Sequence, residues 1–365
     1  MLHKAAFCDS LAEGCVLDRA RRTNDNFLNE ILTMLSYDSI VSTVERVCGM
    51  KMMHGEGKSN YLARFGVFLT TMALIAGLVG CGPTKVVEIR DWYDLDAIRN
   101  ALGASYSTRY VLMNDLDYTT AGYEELASPT ANGGKGWQPI GTWGDSARSY
   151  FDGILLGQGY EIRDLFINRP DEDNVGLFGA TVWGGPNDIA VVNFTVTGGD
   201  YVGVLVGRND GQIYNCYCAA GSVTGNSSVG GLAGRIEKGY VSTCYCTGNV
   251  TGTERVGGLV GYNEGGTVSN CYSIGAVTGG ESVGGLVGGG DVGTVSSSFW
   301  DIEASGQSTS AGGAGKTTDE MQDITTFSGA GWNIMAVAPG ERNPSYVWNI
   351  ADGVTYPFLS WQLIT

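Results

Sequence analysis

The sequence predicts an all-β fold: a right-handed parallel β-helix, or β-solenoid, of about six coils with capping segments at both ends. Three observations support this prediction. A Val-Gly pair recurs every 27 residues, each unit contains short segments of alternating polarity, and 57 of the 365 residues are glycine. Only 8 residues are proline and no Gly-X-Y period is present, so collagen is excluded. A 43% hydrophobic content is sufficient for a buried core.

Val-Gly pairs define the repeat. The pairs are Val175-Gly176, Val202-Gly203, Val229-Gly230, Val256-Gly257 and Val283-Gly284. A turn follows each pair, then a second extended piece such as QIYNCYC or TVSNCYS, and often Val-Thr-Gly. Short period-2 segments separated by Gly, Asn and Asp are typical of strands and turns.

Units of this size cannot bury their apolar residues alone, but stacked coils share one core. Neighbouring coils lie about 4.8 Å apart in such a stack, so equivalent residues form columns. Glycine is expected at corners with positive φ and wherever the interior is narrow. Residues 151–300 are assigned to the β-helix, and Tyr150 to Pro170 form an irregular first coil in this interpretation.

Both ends of a solenoid need covering because open strand edges promote aggregation. Residues 81–150 are assigned to an anchor, a linker and an N-terminal cap, and residues 301–365 to a C-terminal cap. The N-terminal cap is expected to contain one helix whose apolar face is formed by Trp92, Leu95, Ile98 and Leu102.

Residues 50–80 are interpreted as a signal peptide. Three basic residues (Lys51, Lys58 and Arg64) precede the apolar run FGVFLTTMALIAGLV. That run is shorter than a membrane span of about 20 residues but suits a signal-peptide core. Residues 1–49 fit this pattern poorly, which indicates a start assigned too far upstream. The alternative is a short cytosolic segment ahead of an uncleaved anchor.

The apolar run ends in Leu78-Val79-Gly80-Cys81, which resembles the lipobox of bacterial lipoproteins. In that family the signal peptidase cuts before the cysteine, whose thiol then carries diacylglycerol. The resemblance implies that Cys81 is lipidated and that the protein is anchored at the cell surface or the periplasmic face. A plain secretory signal or a short anchor helix is the alternative.

Charge and histidine content exclude several function classes. The net charge is −16, and all of the acidic excess lies in residues 81–365, which argues against nucleic acid as a partner. Both histidines, His3 and His54, precede Cys81. The exported part therefore lacks the residues for a Ser-His-Asp or Cys-His site or an HExxH zinc site, and we expect no enzyme.

The units resemble the GLUG-motif repeats of bacterial surface proteins, whose consensus is close to VGGLVGYN…G.V.NCYS.G.VTG. Val256 to Gly279 matches that consensus best. The flanking stretches also resemble those of the family, upstream in DLDAIRN, GWQPIGTW and FDGILLGQGYEI, and downstream in SFWDIEASGQ and YPFLSW. The resemblance covers most of residues 86–365. It implies a secreted or surface-displayed β-helix, often adhesin-like, with no established chemistry.

Aligned units place carboxylates in two columns. Two residues before the Val-Gly pairs are Asp173, Asp200, Glu254 and Glu281, and eight residues after the Val are Asp210, Glu237, Glu264 and Asp291. Stacked carboxylates repel one another unless they are solvated or bridged by a hard cation. Calcium is therefore the one cofactor that these columns suggest. The favoured alternative is that the carboxylates lie on solvated faces of turns and bind no metal.

Two further columns carry reactive side chains. Arg208 and Arg235 stand two residues before Asp210 and Glu237. A β-helical polysaccharide lyase would need such an arginine or a lysine as its base, whereas a salt bridge between coils is the favoured interpretation.

The repeat cysteines also align. We expect them to be free buried thiols, with disulfides between coils as the alternative.

The sequence thus predicts an exported, lipid-anchored surface protein with a structural, adhesive or ligand-binding role and no catalysis. A β-helical carbohydrate-active enzyme and a calcium-dependent adhesion module remain the alternatives. The expected partners are the membrane, through the lipid, and an extracellular glycan or protein.

Lipidation is tested by metabolic labelling with a fatty acid. The label is expected in the wild-type protein and not in Cys81→Ala, because diacylglycerol is attached to that thiol. Equal labelling of both proteins would overturn the lipoprotein interpretation.

Overall fold

The structure is a computed structural model that describes residues 85–103, 108–144 and 149–362. The predictions for residues 1–49, for the signal peptide at 50–80 and for Cys81 lie outside these residues. Within them the chain forms stacked parallel coils, which confirms the predicted β-solenoid. No helix in the described ranges is long and apolar enough to cross a membrane.

Sheet A follows the solenoid along its length and consists of eight parallel strands. In spatial order these are β1 (Val86–Ile89), β2 (Arg109–Leu112), β3 (Ile154–Leu156), β7 (Gly185–Asn187), β11 (Gln212–Tyr214), β16 (Tyr240–Ser242), β21 (Thr267–Ser269) and β26 (Thr294–Ser296). The solenoid therefore has about eight turns rather than six. The additional turns come from β1 and β2, which pair in parallel with each other and with β3 although they lack the Val-Gly signature.

Three more sheets complete the walls of each coil. Sheet B contains β4 (Glu161–Arg163), β8 (Ala190–Val192), β12 (Tyr217–Ala219), β17 (Tyr245–Cys246), β22 (Tyr272–Ser273), β27 (Phe299–Asp301) and β28 (Ala314–Lys316). Sheet C contains β5 (Phe166–Arg169), β9 (Thr195–Gly198), β13 (Ser222–Thr224), β18 (Asn249–Thr251) and β23 (Val277–Thr278). Sheet D contains β6 (Phe178–Val182), β10 (Val206–Asp210), β15 (Ala233–Ile236), β20 (Val260–Asn263) and β25 (Val287–Gly290).

The Val-Gly pairs stack in a short fifth wall, sheet E, formed by β14 (Ser227–Gly230), β19 (Glu254–Gly257) and β24 (Glu281–Gly284). Val229 pairs with Val256, and Val256 with Val283. Isolated bridges extend the same column to Val202 and Val175. One sequence repeat is thus one turn of the solenoid.

Columns of small apolar side chains fill the interior. The columns include Leu232, Leu259 and Leu286 from the corner between sheets E and D, and Val196, Val223 and Val250 from sheet C, all at most 1% exposed. They belong to a single core that extends from Ile89 to Trp300. Burial of these equivalent residues in every coil is what makes stacking favourable.

The corners of the repeats use residues other than glycine. Asn215, Thr243, Asn270 and Ser297 occupy equivalent corners with φ between +44° and +58°. Asn and other short polar residues tolerate this left-handed conformation better than most side chains. Our expectation that glycine supplies these corners is therefore wrong. The repeat glycine Gly257 instead allows close approach, since a Cβ there would overlap the carbonyl oxygen of Val260.

The N-terminal segment contains three short helices. They are α1 (Trp92–Asp96), followed by a 3-10 turn at Ala97–Ala101, then α2 (Tyr123–Leu126) and α3 (Ala131–Gly134). Trp92, Leu95 and Ile98 are buried, and Leu102 packs against the core while partly exposed, so the predicted apolar face is present. Trp92 and Trp137 pack with their ring centroids 5.6 Å apart.

The segment after β27 covers one end and one side of the solenoid. At the end, Gly285 donates to the carbonyl of Thr309 and Ala311 to that of Val287, so residues 309–311 pair with the last coil. The remaining elements are α4 (Ile302–Ser305), α5 (Thr318–Met321), α6 (Ile324–Ser328) and sheet F, formed by β29 (Ile334–Ala336), β30 (Trp348–Ile350) and β31 (Phe358–Leu359).

Sheet F packs against an outward column of aromatic residues on sheet B. The rings of Tyr217, Tyr245 and Tyr272 stack with centroid separations of 5.0 and 4.8 Å. Trp348 lies 6.0 Å from Tyr245 and 5.9 Å from Tyr272, measured between ring centroids. This second core makes the C-terminal segment an integral part of the solenoid.

Candidate functional site

The outer face of sheet D carries the predicted arginines and the second acidic column. Strand register places Ala180, Arg208, Arg235, Tyr262 and Gly289 side by side on five successive strands. The carboxylates of Asp210, Glu237, Glu264 and Asp291 form the neighbouring column, two residues further along each unit. We call these two columns together the arginine face.

Each arginine of this face pairs with a carboxylate of the following coil. Arg208 Nη2 lies 2.6 Å from Glu237 Oε1, and both side chains are largely buried, at 13% and 23% exposure. Arg235 Nη2 forms the equivalent ion pair with Glu264 Oε2 and lies 3.9 Å from Glu237 Oε1. The structure thus confirms the predicted salt bridges between coils.

Aromatic rings complete the arginine face. The Arg208 guanidinium lies 3.6 Å from the ring centroid of Trp143, and that of Arg235 lies 5.5 Å from the ring centroid of Tyr201. These cation–π contacts add to the ion pairs because the negative face of an aromatic ring attracts a guanidinium group. Sequence reasoning missed both rings. Tyr201 directly precedes a repeat valine, whereas Trp143 lies outside the repeats.

Tyr262 takes the place of an arginine in the next coil. Its hydroxyl donates to Asp291 Oδ2, and this hydrogen bond raises the pKa of Tyr262. The Arg255 guanidinium lies 4.7 Å from the centroid of the same ring. A tyrosine here therefore preserves the contact between coils with a neutral donor.

The ion pair with Glu264 determines the direction in which the pKa of Arg235 is shifted. Burial acts to lower the pKa of Arg235, but the hydrogen bond and charge of Glu264 outweigh it, so the pKa is raised. A catalytic base must lose its proton, and a raised pKa makes that loss harder. Burial and the charge of Glu237 both raise the pKa of Asp210.

The two aspartates of the first acidic column accept hydrogen bonds from the next coil. Asp173 Oδ1 accepts from the backbone N–H of Asp200 at 2.9 Å, and Asp200 Oδ1 accepts from that of Ser227 at 3.2 Å. Glu254 pairs with Arg255 at 3.1 Å, and Glu281 is exposed. In the described ranges, no three His, Cys, Asp or Glu side chains are grouped as a metal site requires. Calcium binding stays a prediction.

The repeat cysteines divide into two kinds. Cys218 and Cys246 lie opposite each other on β12 and β17 and form a disulfide between adjacent coils, with a Cα–Cα distance of 4.7 Å. The expectation of free thiols is wrong for these two. It is confirmed for Cys216, Cys244 and Cys271, which are free and buried.

The free thiols form a column that stabilises the corners. Those of Cys216, Cys244 and Cys271 each donate to the carbonyl two residues earlier, at 3.0 to 3.1 Å. Ser298 makes the same contact with its hydroxyl in the last coil, at 2.7 Å. Burial raises the pKa of Cys244 and of Cys271. Both thiols therefore stay protonated and act as hydrogen-bond donors.

Residues 252–278 match the family model described as "The GLUG motif". The chain therefore contains a GLUG motif. The match includes Val256, Gly257 and the TVSNCYS segment, which form parts of sheets E, A and B in the structure. The GLUG sequence thus corresponds to a single turn of the solenoid and its stacking surfaces.

Two relatives match parts of this chain. A "Putative Gly-rich membrane protein" of Evansella cellulosilytica is 40% identical over 130 residues, which cover 33% of this chain and 13% of that protein. "Halomucin" of Haloquadratum walsbyi is 36% identical over 145 residues, which cover 39% of this chain and 2% of that protein. The chain therefore spans only a small part of the length of either relative.

A solved structure has the same fold. The crystal structure titled as a "putative immunoglobulin A1 protease from Bacteroides ovatus" aligns with a TM-score of 0.55 and 19% identity, over 75% of this chain and 92% of that chain. At this identity the similarity supports the β-solenoid and nothing about chemistry.

The ion pairs of the arginine face are expected to contribute to stability. In a double-mutant cycle, Arg208→Ala and Glu237→Ala should show a coupling free energy of about 1 kcal/mol or more, because both side chains are largely buried. The more exposed pair Lys316 and Glu320 is the control, with a coupling of about 0.5 kcal/mol or less. Chemical denaturation of the four proteins of each cycle measures both values. Equal couplings would contradict this account of the face.

Proposed function

We propose that this protein is an exported surface protein whose β-solenoid acts as a rigid, non-catalytic scaffold for adhesion or ligand binding. In this proposal the lipid on Cys81 holds the N-terminal end of the exported part at the membrane. The coils present their outer faces to extracellular partners. Binding arises from many weak contacts along the stack, which add up when several are made at once.

The observation that carries this proposal is that the guanidinium groups of the arginine face are already paired within the protein. Arg208 and Arg235 are the residues of the repeats that a polysaccharide lyase would use as a base. Both form ion pairs with carboxylates of the next coil, and both contact aromatic rings. A base has to reach substrate and exchange protons, whereas these guanidinium groups hold coils together.

The rigidity of the scaffold also supports a role in display. The disulfide joins two adjacent coils, and the aromatic column with sheet F supports one side of the stack along three coils. A rigid scaffold loses little conformational freedom when it binds a ligand, and this favours affinity for extended ligands.

The relatives favour a location at the cell surface. One is named as a membrane protein, and the other is named halomucin. The acidic excess of residues 81–365 is compatible with an exposed, soluble exterior.

The proposal is tested with purified protein incubated with neutral and acidic polysaccharides, with and without calcium. Retention on the glycan and the release of new chain ends are measured in the same samples. We expect no release of chain ends. Arg208→Ala should lower the melting temperature, since it removes the nearer of the two arginines that pair with Glu237.

Lys316→Ala is the control, because Lys316 lies outside the repeats. Release of chain ends that Arg208→Ala abolishes and Lys316→Ala preserves would show an enzyme and contradict the proposal. Retention only in the presence of calcium would instead support the calcium-dependent adhesion module.

A further inference from the structure

We propose that a cleft beside Tyr118 binds one sugar ring of a neutral linear glycan, whose chain continues along the outer face of sheet C. This inference deepens the proposed ligand-binding role and rests on it. The cleft lies where the N-terminal segment meets the first strands of sheet C, and its volume is about 300 Å³. That volume is at the lower end of the range for small-ligand sites.

Part of the lining of the cleft is apolar and aromatic. It is formed by Tyr118, Tyr123, Pro129 and Phe166. Tyr118 is 66% exposed, whereas Tyr123 is buried and its hydroxyl donates to the carbonyl of Asp164 at 3.1 Å. A fixed apolar wall beside an exposed ring suits the C–H face of a pyranose, since tyrosine combines apolar surface with a polar end.

The polar residues of the lining are held in place by their own hydrogen bonds. Asn193 Nδ2 donates to Asp164 Oδ1, and the backbone N–H of Tyr118 lies 3.4 Å from Asp164 Oδ2. A carboxylate accepts up to about four hydrogen bonds, so Asp164 retains acceptor capacity for sugar hydroxyls. The amide oxygen of Asn193 and the hydroxyl of Thr195, which also lines the cleft, can accept and donate.

The outer face of sheet C continues from this cleft as a strip of short polar side chains. Thr195, Ser222 and Asn249 are in register in the column that begins with Phe166. Thr197, Thr224, Thr251 and Thr278 form the parallel column. Successive members lie about 4.8 Å apart, so hydroxyl groups recur along the axis of the solenoid.

The two columns of this strip carry no charged side chain, which favours a neutral glycan over an acidic one. All residues of the two columns are uncharged, in a chain whose net charge is −16. Arg169 ends the first strand of sheet C and Lys135 lies beside that strand, and both pair with Glu172, at 3.0 and 2.7 Å. An acidic glycan would find no unpaired cation in these columns and would be repelled by the acidic exterior.

The test measures binding of soluble neutral glycans (a glucan, a mannan and a galactan) and of acidic polygalacturonate by affinity electrophoresis. We expect at least one neutral glycan to be retained. Tyr118→Ala should weaken that retention at least fivefold, because it removes the exposed ring. Thr224→Val, which replaces a hydroxyl on the strip with a methyl group and keeps the branched shape, should weaken it about twofold.

Tyr240→Ala is the matched control, since Tyr240 is 57% exposed on the outer face of sheet A. It should bind as the wild-type protein does, and all three variants should melt like the wild type. Equal binding by Tyr118→Ala and wild type, or retention of polygalacturonate alone, would overturn the inference and leave the proposed function standing. Release of new chain ends would instead contradict the proposed function itself.

Discussion

Coil-to-coil register is the constraint on which the rest of the structure depends. Each residue of the repeats lies beside its equivalent in the next coil, so every position must be compatible with copies of itself. Valine and leucine satisfy this condition inside, and Gly257 does so where backbones approach closely. A charged column would place like charges opposite one another. Arg208 and Arg235 do lie opposite each other, and their repulsion is offset because Arg208 pairs diagonally with Glu237, in the next coil and two residues further along.

The same constraint gives each wall of the solenoid its own chemistry. Sheet B presents stacked tyrosines, which sheet F covers. Sheet D presents ion pairs that hold neighbouring coils together, while sheet C presents uncharged hydroxyl and amide groups along its outer face. Ligand binding can therefore be confined to one wall while the others stabilise the stack. The disulfide adds a covalent link within the repeats, between Cys218 and Cys246.

The contacts of residues that recur in every unit could be predicted from the sequence, whereas the contacts of residues that occur once could not. The 27-residue period was sufficient to predict the solenoid, the valine column and the salt bridges of Arg208 and Arg235, because stacking fixes the neighbours of every repeated residue. Trp143 and Tyr118 lie in the N-terminal segment, where long-range packing decides their neighbours. The β1 and β2 turns were missed because they lack the Val-Gly pair, and the identity of the corner residues was missed because Asn and Ser replace glycine there.

Internal deletion tests the register most directly. Deleting Glu254–Gly280 removes one 27-residue unit, so Glu281 follows Thr253 and Tyr245 moves into the place of Tyr272 beside Trp348. The account predicts β-rich circular dichroism and one cooperative melting transition for this variant. Deleting only Glu254–Gly266, about half a unit, should abolish the cooperative transition because every later column loses its register. The same loss in the whole-unit deletion would contradict the account.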